Sequence, residues 1–278
     1  MADVTRDDLL YKSTLAEQCE RYDEMSQFMK SAVECEAKLS MDERNMLSIA
    51  FKNAVGTRRS AWRVLSAVEH KEAGDGDAPN LTARIAKQMR LQVEDELAKL
   101  GAELIELLDK HLIPAAEKDT EDGAEEAQVF FWKMKADYHR YLCEYALDDV
   151  RAQRSEQSLA AYKKASEIAN NLPAVNATRL GLALNFSVFY YEILNSQEKA
   201  CRLAKAAFDD AISSFDSADP AAGKEASLIL QLLRDNLTLW TSDNVDADGE
   251  NIEATGENGD VSGEAAPEKD SKDEKPVE

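Results

Sequence analysis

Two short basic stretches have the residue types and spacing to grip an anion. In the first, between Phe51 and Arg63, Lys52 and Arg59 stand seven residues apart. On a helix they share one face, separated by about 10 Å along the axis, and Arg63 extends the stripe by four residues. Arginine offers a planar fork that matches phosphate oxygens, and lysine adds a point charge. Taken alone, such a pair is more often a solvated basic face. In the second stretch Lys133, Asp137 and Arg140 fall on one face of another helix, with the Tyr141 hydroxyl beside them. Asp137 can hold the basic side chains in place, at a cost in net positive charge. The plainer readings are an ordinary helix-face ion pair for Asp137 and a core aromatic for Tyr141.

A third element sets single amides into apolar stripes. Asn185 lies beside Leu184 and Val188, with Glu192 one turn further, and Asn236 follows Leu228 and Leu232 at four-residue spacing with Trp240 next. Asparagine is a poor helix-interior residue. Its amide can bond both the N–H and the C=O of an extended peptide. Each asparagine, alone, reads equally as a satisfied core amide. Catalysis has little support. His70, His111 and His139 lack a nucleophile or metal partner at useful spacing, no glycine-rich phosphate loop occurs, and no carboxylate pair sits in an apolar context. No cofactor or metal is expected.

The elements that must carry these side chains are helices. Glycine and proline number only 11 and 6 in 278 residues, and both gather between or after periodic stretches. Apolar spacing and breakers predict nine helices, near 6–19, 22–37, 41–71, 80–111, 125–147, 152–171, 177–194, 198–215 and 223–241. Ser40 and Glu43 form a capping box for the third. Leu47, Ala54, Ala61 and Val68 hold one face of it at heptad spacing. The fourth is expected to stop before Pro114. Short connections make antiparallel neighbours the expected arrangement, and stacked antiparallel helices curve into a concave face. The expected fold is all-α, with a helical domain over 1–242. Residues 1–110 carry the first half of the concave face and 125–242 the second. The segment 243–278 holds 13 acidic and 3 basic residues and almost no large apolar one, so it is expected to remain a disordered acidic tail.

The chain has 33 basic and 54 acidic residues, a net charge of −21. That balance disfavours nucleic acid or an anionic membrane surface as partner. The longest apolar run, 180–194, is broken by Asn185, Ser187 and Glu192 and is too short and polar to span a bilayer. Four scattered cysteines and a charged N-terminus without an apolar core point to reduced thiols and a cytoplasmic location. One alternative stays open: small–large alternation around Ser158–Ser166 and Glu198–Phe208 resembles a tetratricopeptide scaffold for unphosphorylated peptides, although no fixed repeat period is present.

The stretches Leu15–Asp23, Asn53–Arg63, Arg179–Asn195 and Gln231–Asp243 closely resemble 14-3-3 proteins. The resemblance spans residues 5–243. Lys110–Ala116 and Asp137–Arg140 look most like the epsilon type. It implies a cup-shaped dimer, homodimer or heterodimer, with an amphipathic groove in each subunit, binding and regulating phosphorylated client proteins. By matching positions, Lys52, Arg59, Arg140 and Tyr141 would hold the phosphate, and Asn185 and Asn236 the peptide backbone. Leu184, Val188, Leu228, Ile229 and Leu232 would form the apolar wall, with Lys133, Glu192 and Trp240 also at the groove. Arg21 and Glu24 would face Glu96 across the dimer. Departures from the family's pattern are also visible. Met89 stands where a tyrosine is usual, and Gln92 where many members have a lysine, so one intersubunit ion pair with Glu24 is expected to be absent. Ala61 stands where several members carry a regulatory serine. The acidic loop 119–126 is longer than usual, and Ala218–Lys224 replaces the usual loop before the last helix. The tail's charge suggests that it competes weakly with clients for the groove.

Overall fold

A computed structural model describes residues 4–72, 80–215 and 220–242, apart from the side chains of 221 and 222. The tail from Asp243 onward, residues 73–79, and residues 218 and 219 of the segment Ala218–Lys224 lie outside them. Every regular element among the described residues is helical. They are α1 (Arg6–Gln18), α2 (Tyr22–Cys35), α3 (Met41–Glu72), α4 (Leu81–Leu107), α5 (Ile113–Lys118), α6 (Ala124–Tyr145), α7 (Asp148–Ala169), α8 (Ala177–Val188), α9 (Gln197–Ser214) and α10 (Pro220–Ser242).

Local chemistry starts most of them. Thr5 and Asp8 close a capping box on α1. The expected box on α3 is present: the Glu43 N–H donates to Ser40 Oγ at 3.2 Å, and the Ser40 N–H donates to Glu43 Oε2 at 2.8 Å. Asn80 and Asn176 accept the third backbone N–H of α4 and α8, at 2.8 and 2.9 Å. Each cap satisfies a donor that the helix itself leaves open.

The fourth helix does not stop before Pro114. A π-helical segment, Leu108–Leu112, joins α4 to α5, and Pro114 sits in the first turn of α5. A proline ring collides with the carbonyl four residues back, here that of Lys110, and lacks an N–H to bond it. The turn widens just there, with the Ile113 N–H bonding the Leu108 carbonyl five residues back, and the rod carries on to Lys118. A second π segment, Phe189–Ile193, prolongs α8. The helix expected from 152 begins at Asp148, as α7, and the last, expected from 223, at Pro220, each a few residues ahead of the expected start.

Three apolar clusters hold the helices together. The first joins α1 to α6 around Met25, Met29, Leu47, Phe51, Leu104 and Phe131. The second joins α8, α9 and α10 around Leu180, Leu184, Ile229, Leu233 and Trp240. The third sets α6 against α7 and α8 around Val129, Tyr162, Phe186 and Phe189. Helix α6 serves the first and third, and packs on α4, α7 and α8. Its approach to α4 is close at Gly101, where a Cβ would meet Leu142 at 3.0 Å. Of the heptad face expected on α3, Leu47 and Ala54 are buried, whereas Ala61 and Val68 are only half-buried.

Candidate functional site

A cleft of about 270 Å³ opens between α3, α6, α8 and the start of α10. Its lining includes Lys52 and Ser48 from α3, Lys133, Asp137 and Tyr141 from α6, and Asn185 from α8. The structure thus brings the two basic stretches and the first asparagine to one place. Arg59 and Arg140 adjoin it through Tyr141. The Arg59 guanidinium carbon lies 4.0 Å from the centre of that ring and the Arg140 carbon 4.7 Å. Two cations held against one aromatic ring keep their charge where long side chains would otherwise splay apart.

Asp137 ties this wall together. It is 5% exposed. Its Oδ2 accepts from Lys133 Nζ at 2.9 Å and from Asn185 Nδ2 at 3.1 Å. Its Oδ1 accepts from the Tyr162 hydroxyl at 2.5 Å and lies 3.7 Å from Arg140 Nη2. Arg140, only 3% exposed, also donates through Nε to the Tyr162 oxygen at 3.2 Å. A buried carboxylate is tolerated when partners of this kind surround it. Burial and the adjacent Asp137 charge push the Tyr162 phenol well above its ordinary value, so it stays a donor.

Arg59 is held from the other side. Glu144 accepts its Nε at 3.0 Å and its Nη2 at 2.5 Å, a two-pronged pair. Arg63 Nη2 reaches the same carboxylate at 3.7 Å. Tyr162 and Glu144 are site residues that sequence reasoning did not single out. Ser158, Tyr162, Ala165 and Ala169 lie on the buried face of α7, a pattern legible in the spacing, and a buried phenol needs a partner. No local pattern could have paired Glu144 with Arg59, 85 residues away.

The remaining candidates divide. Leu184, Val188 and Ile229 are buried in the second cluster, and Leu232 packs partly exposed against it. Leu228 is 59% exposed. Adjacent positions on α10 point about 100° apart, so Leu228 and Ile229 cannot face the same way. Asn236 is half-buried on α10, and Glu192 is exposed. Trp240 is fully buried and stacked on Tyr191 at 4.9 Å, and its carbonyl accepts from Gln197. It therefore sits in the apolar core that α8, α9 and α10 share.

The candidate dimer residues lie elsewhere. Arg21 pairs with Glu24 within the chain. Glu96 accepts from Arg58 Nε at 2.9 Å and Gln92 Nε2 at 3.2 Å, while Arg58 also binds Asp23 at 2.8 Å. Met89 is exposed, as are Leu15 on α1, Val64 on α3 and Ile85 on α4.

Among the described residues no group of His, Cys, Asp or Glu side chains is placed to hold a metal, and no helix is long and apolar enough to cross a membrane. His139 is buried with Nδ1 unpartnered. Burial, then the charges of Arg154 and Lys135, lower its pKa to about 4 against the opposing pull of Asp109. All four cysteines are free, and burial raises the Cys143 thiol to about 11.

A family model for the 14-3-3 protein matches residues 12–241. The chain is 52% identical over 239 residues to 14-3-3 protein epsilon of Drosophila melanogaster, covering 86% of this chain and 88% of that one. It is 50% identical over 237 residues to the 14-3-3 family protein artA of Aspergillus flavus, covering 85% and 96%. Protein BMH2 of Saccharomyces cerevisiae is 50% identical over 240 residues, covering 86% and 85%. With an all-helical fold, a match across nearly all the described residues and half the positions identical to such relatives, the chain belongs to the 14-3-3 family.

Proposed function

We propose that this chain is an adaptor that captures segments carrying phosphoserine or phosphothreonine in its α3–α6–α8 cleft. The family is one of adaptors that bind client proteins. The finer reading rests on one observation above all: Arg59 from α3 and Arg140 from α6, far apart in sequence, converge on the Tyr141 ring beside Lys52. A phosphoryl group brings a charge of about −1.5 to −2 and three acceptor oxygens. Three cations and a phenol match that demand. An unmodified serine forfeits those interactions and leaves like charges crowded together.

In this reading Lys52, Arg59, Arg140 and Tyr141 hold the phosphate. Lys133 and Asn185 stand beside it, and Asn185 with Asn236 takes the client backbone. Exposed Leu228 and half-exposed Leu232 offer the apolar side. The chain acts in the cytoplasm, as a homodimer or with a related chain, and needs no cofactor and no chemistry of its own. Exposed Leu15, Val64, Ile85 and Met89 support the dimer, because the resemblance assigns α1 to α4 to that contact.

The test is a titration of one labelled peptide with and without its phosphate. The phosphorylated form is expected to bind at least about a hundredfold more tightly, the range for several charge-assisted bonds in a partly desolvated site. Equal binding would favour a tetratricopeptide-like scaffold instead.

A further inference from the structure

We propose that Glu144 is a built-in brake on the phosphate site: a resident carboxylate that occupies the Arg59 fork and must be displaced by the incoming phosphoryl group. The inference deepens the reading above and rests on it.

Arginine grips one carboxylate or phosphate well with its fork, and here the Nε–Nη2 edge is filled by both oxygens of Glu144. Both side chains are largely shielded, at 17% and 16% exposure, so their attraction is less screened than that of a surface pair. Stacking on Tyr141 fixes the guanidinium plane. A ligand therefore meets a cation that already has a bidentate partner, with a negative charge beside it.

Glu144 has somewhere to go. Its Oε2 also lies 3.7 Å from Arg63 Nη2, one turn along α3, and Arg63 is more than half exposed. A dianion that takes the Arg59 fork can push the carboxylate onto Arg63 without leaving it unpaired. The site would then keep two ion pairs, Arg59 with phosphate and Glu144 with Arg63, in place of the two that Glu144 makes with Arg59 and Arg63. The brake lowers affinity for every anion, and Arg63 makes its release easy, which suits an adaptor that must let clients go.

Two effects of removing the carboxylate oppose each other. Losing the tether frees Arg59 and weakens binding through side-chain ordering, by roughly twofold to tenfold. Losing the charge removes repulsion of a dianion a few ångströms away, which is worth several times RT even at an effective dielectric near 20. The second wins.

The test uses the full chain and a labelled peptide with one phosphoserine in an otherwise neutral sequence. Glu144→Gln is expected to tighten binding about tenfold at low salt and less at physiological salt. Arg63→Gln is expected to weaken binding in the native background and to have little effect beside Glu144→Gln. A direct contact of Arg63 with phosphate would weaken both equally. Thermal melts of each variant report folding separately. Glu144→Gln binding that is weaker or unchanged in a chain that melts as the parent does would overturn the inference and leave the phosphopeptide reading intact. If Glu144→Gln does not fold, Glu144→Asp, which shortens the reach to Arg59, must tighten binding in the same direction or the inference falls. Failure of the parent and every variant to bind the peptide would overturn both.

Discussion

Two regions of the molecule are built on opposite principles. The first, the charged wall, draws on α3, α6, α7 and α8, and its side chains hold one another: Lys133, Arg140, Tyr162 and Asn185 all meet Asp137, and Arg59 meets Glu144. The second, the apolar wall of the proposed groove on α8 and α10, is held by packing, with Leu184, Val188 and Ile229 rooted in a shared cluster and Leu228 left at the surface. Members of a polar network lose their value together, whereas a surface apolar side chain such as Leu228 contributes on its own. Damage should therefore spread across the first wall and stay local in the second.

The largest effect should come from Asp137→Ala. It strips a carboxylate shared by four buried or half-buried partners, and removing one side of such a buried arrangement costs about 3–5 kcal/mol. Chemical denaturation should record that loss, and binding should fall with it even though Asp137 repels phosphate. A loss under 1 kcal/mol would mean that the charged wall is not a network.

A nearby residue provides the control. His139 lies between Asp137 and Arg140 in sequence, yet the charges that reach it are those of Arg154, Lys135 and Asp109. Its pKa falls from 6.5 to about 4 on folding. Between those values the unfolded chain takes up a proton that the folded chain refuses. Its contribution is thus complete above pH 6.5 and is lost as the pH drops toward 4. The total loss is about 3 kcal/mol. In His139→Gln this part of the pH dependence of stability should flatten, with phosphopeptide affinity at neutral pH little changed.

Tyr162→Phe should cost about 1–3 kcal/mol, since it removes a donor from buried Asp137 and a polar neighbour from Arg140. If the network reading holds, the same change beside Asp137→Ala costs clearly less, and a double-mutant cycle measures the difference. The smallest effect belongs to the apolar wall. Leu228→Ala should alter stability by no more than about 0.5 kcal/mol, because the side chain is exposed, while weakening phosphopeptide binding roughly threefold to tenfold. A stability loss comparable to that of Tyr162→Phe would break the contrast between the walls.

The same division governs what could be read from the sequence. Helix positions were legible because apolar periodicity and caps such as Ser40 with Glu43 act within a few residues. The passage through Pro114 was not, since a π turn depends on packing that no local pattern encodes. Asp137 was legible as an anchor because Lys133 and Arg140 stand four and three residues away. Tyr162 and Glu144 were not, because their partners come from other helices. For Glu144 the local rule is incomplete: four-residue spacing points only to Arg140, and the bidentate pair with Arg59 comes from another helix. On α10, four-residue spacing ran through Leu228, Leu232, Asn236 and Trp240, whereas the buried face runs through Ala226, Ile229, Leu233 and Trp240. Burial then separated Leu228 from Ile229 and sank Trp240 into the core.

The most direct trial of the account is charge reversal at Arg59 and, separately, at Arg140, read by titration with a phosphoserine peptide. Variants that retain the parent's helical circular dichroism and a cooperative melt should lose affinity at least about a hundredfold, because each reversal turns an attraction to the phosphate into repulsion. Undiminished capture by a folded Arg59→Glu or Arg140→Glu chain would contradict the claim that cations from two helices meet around one phosphoryl group.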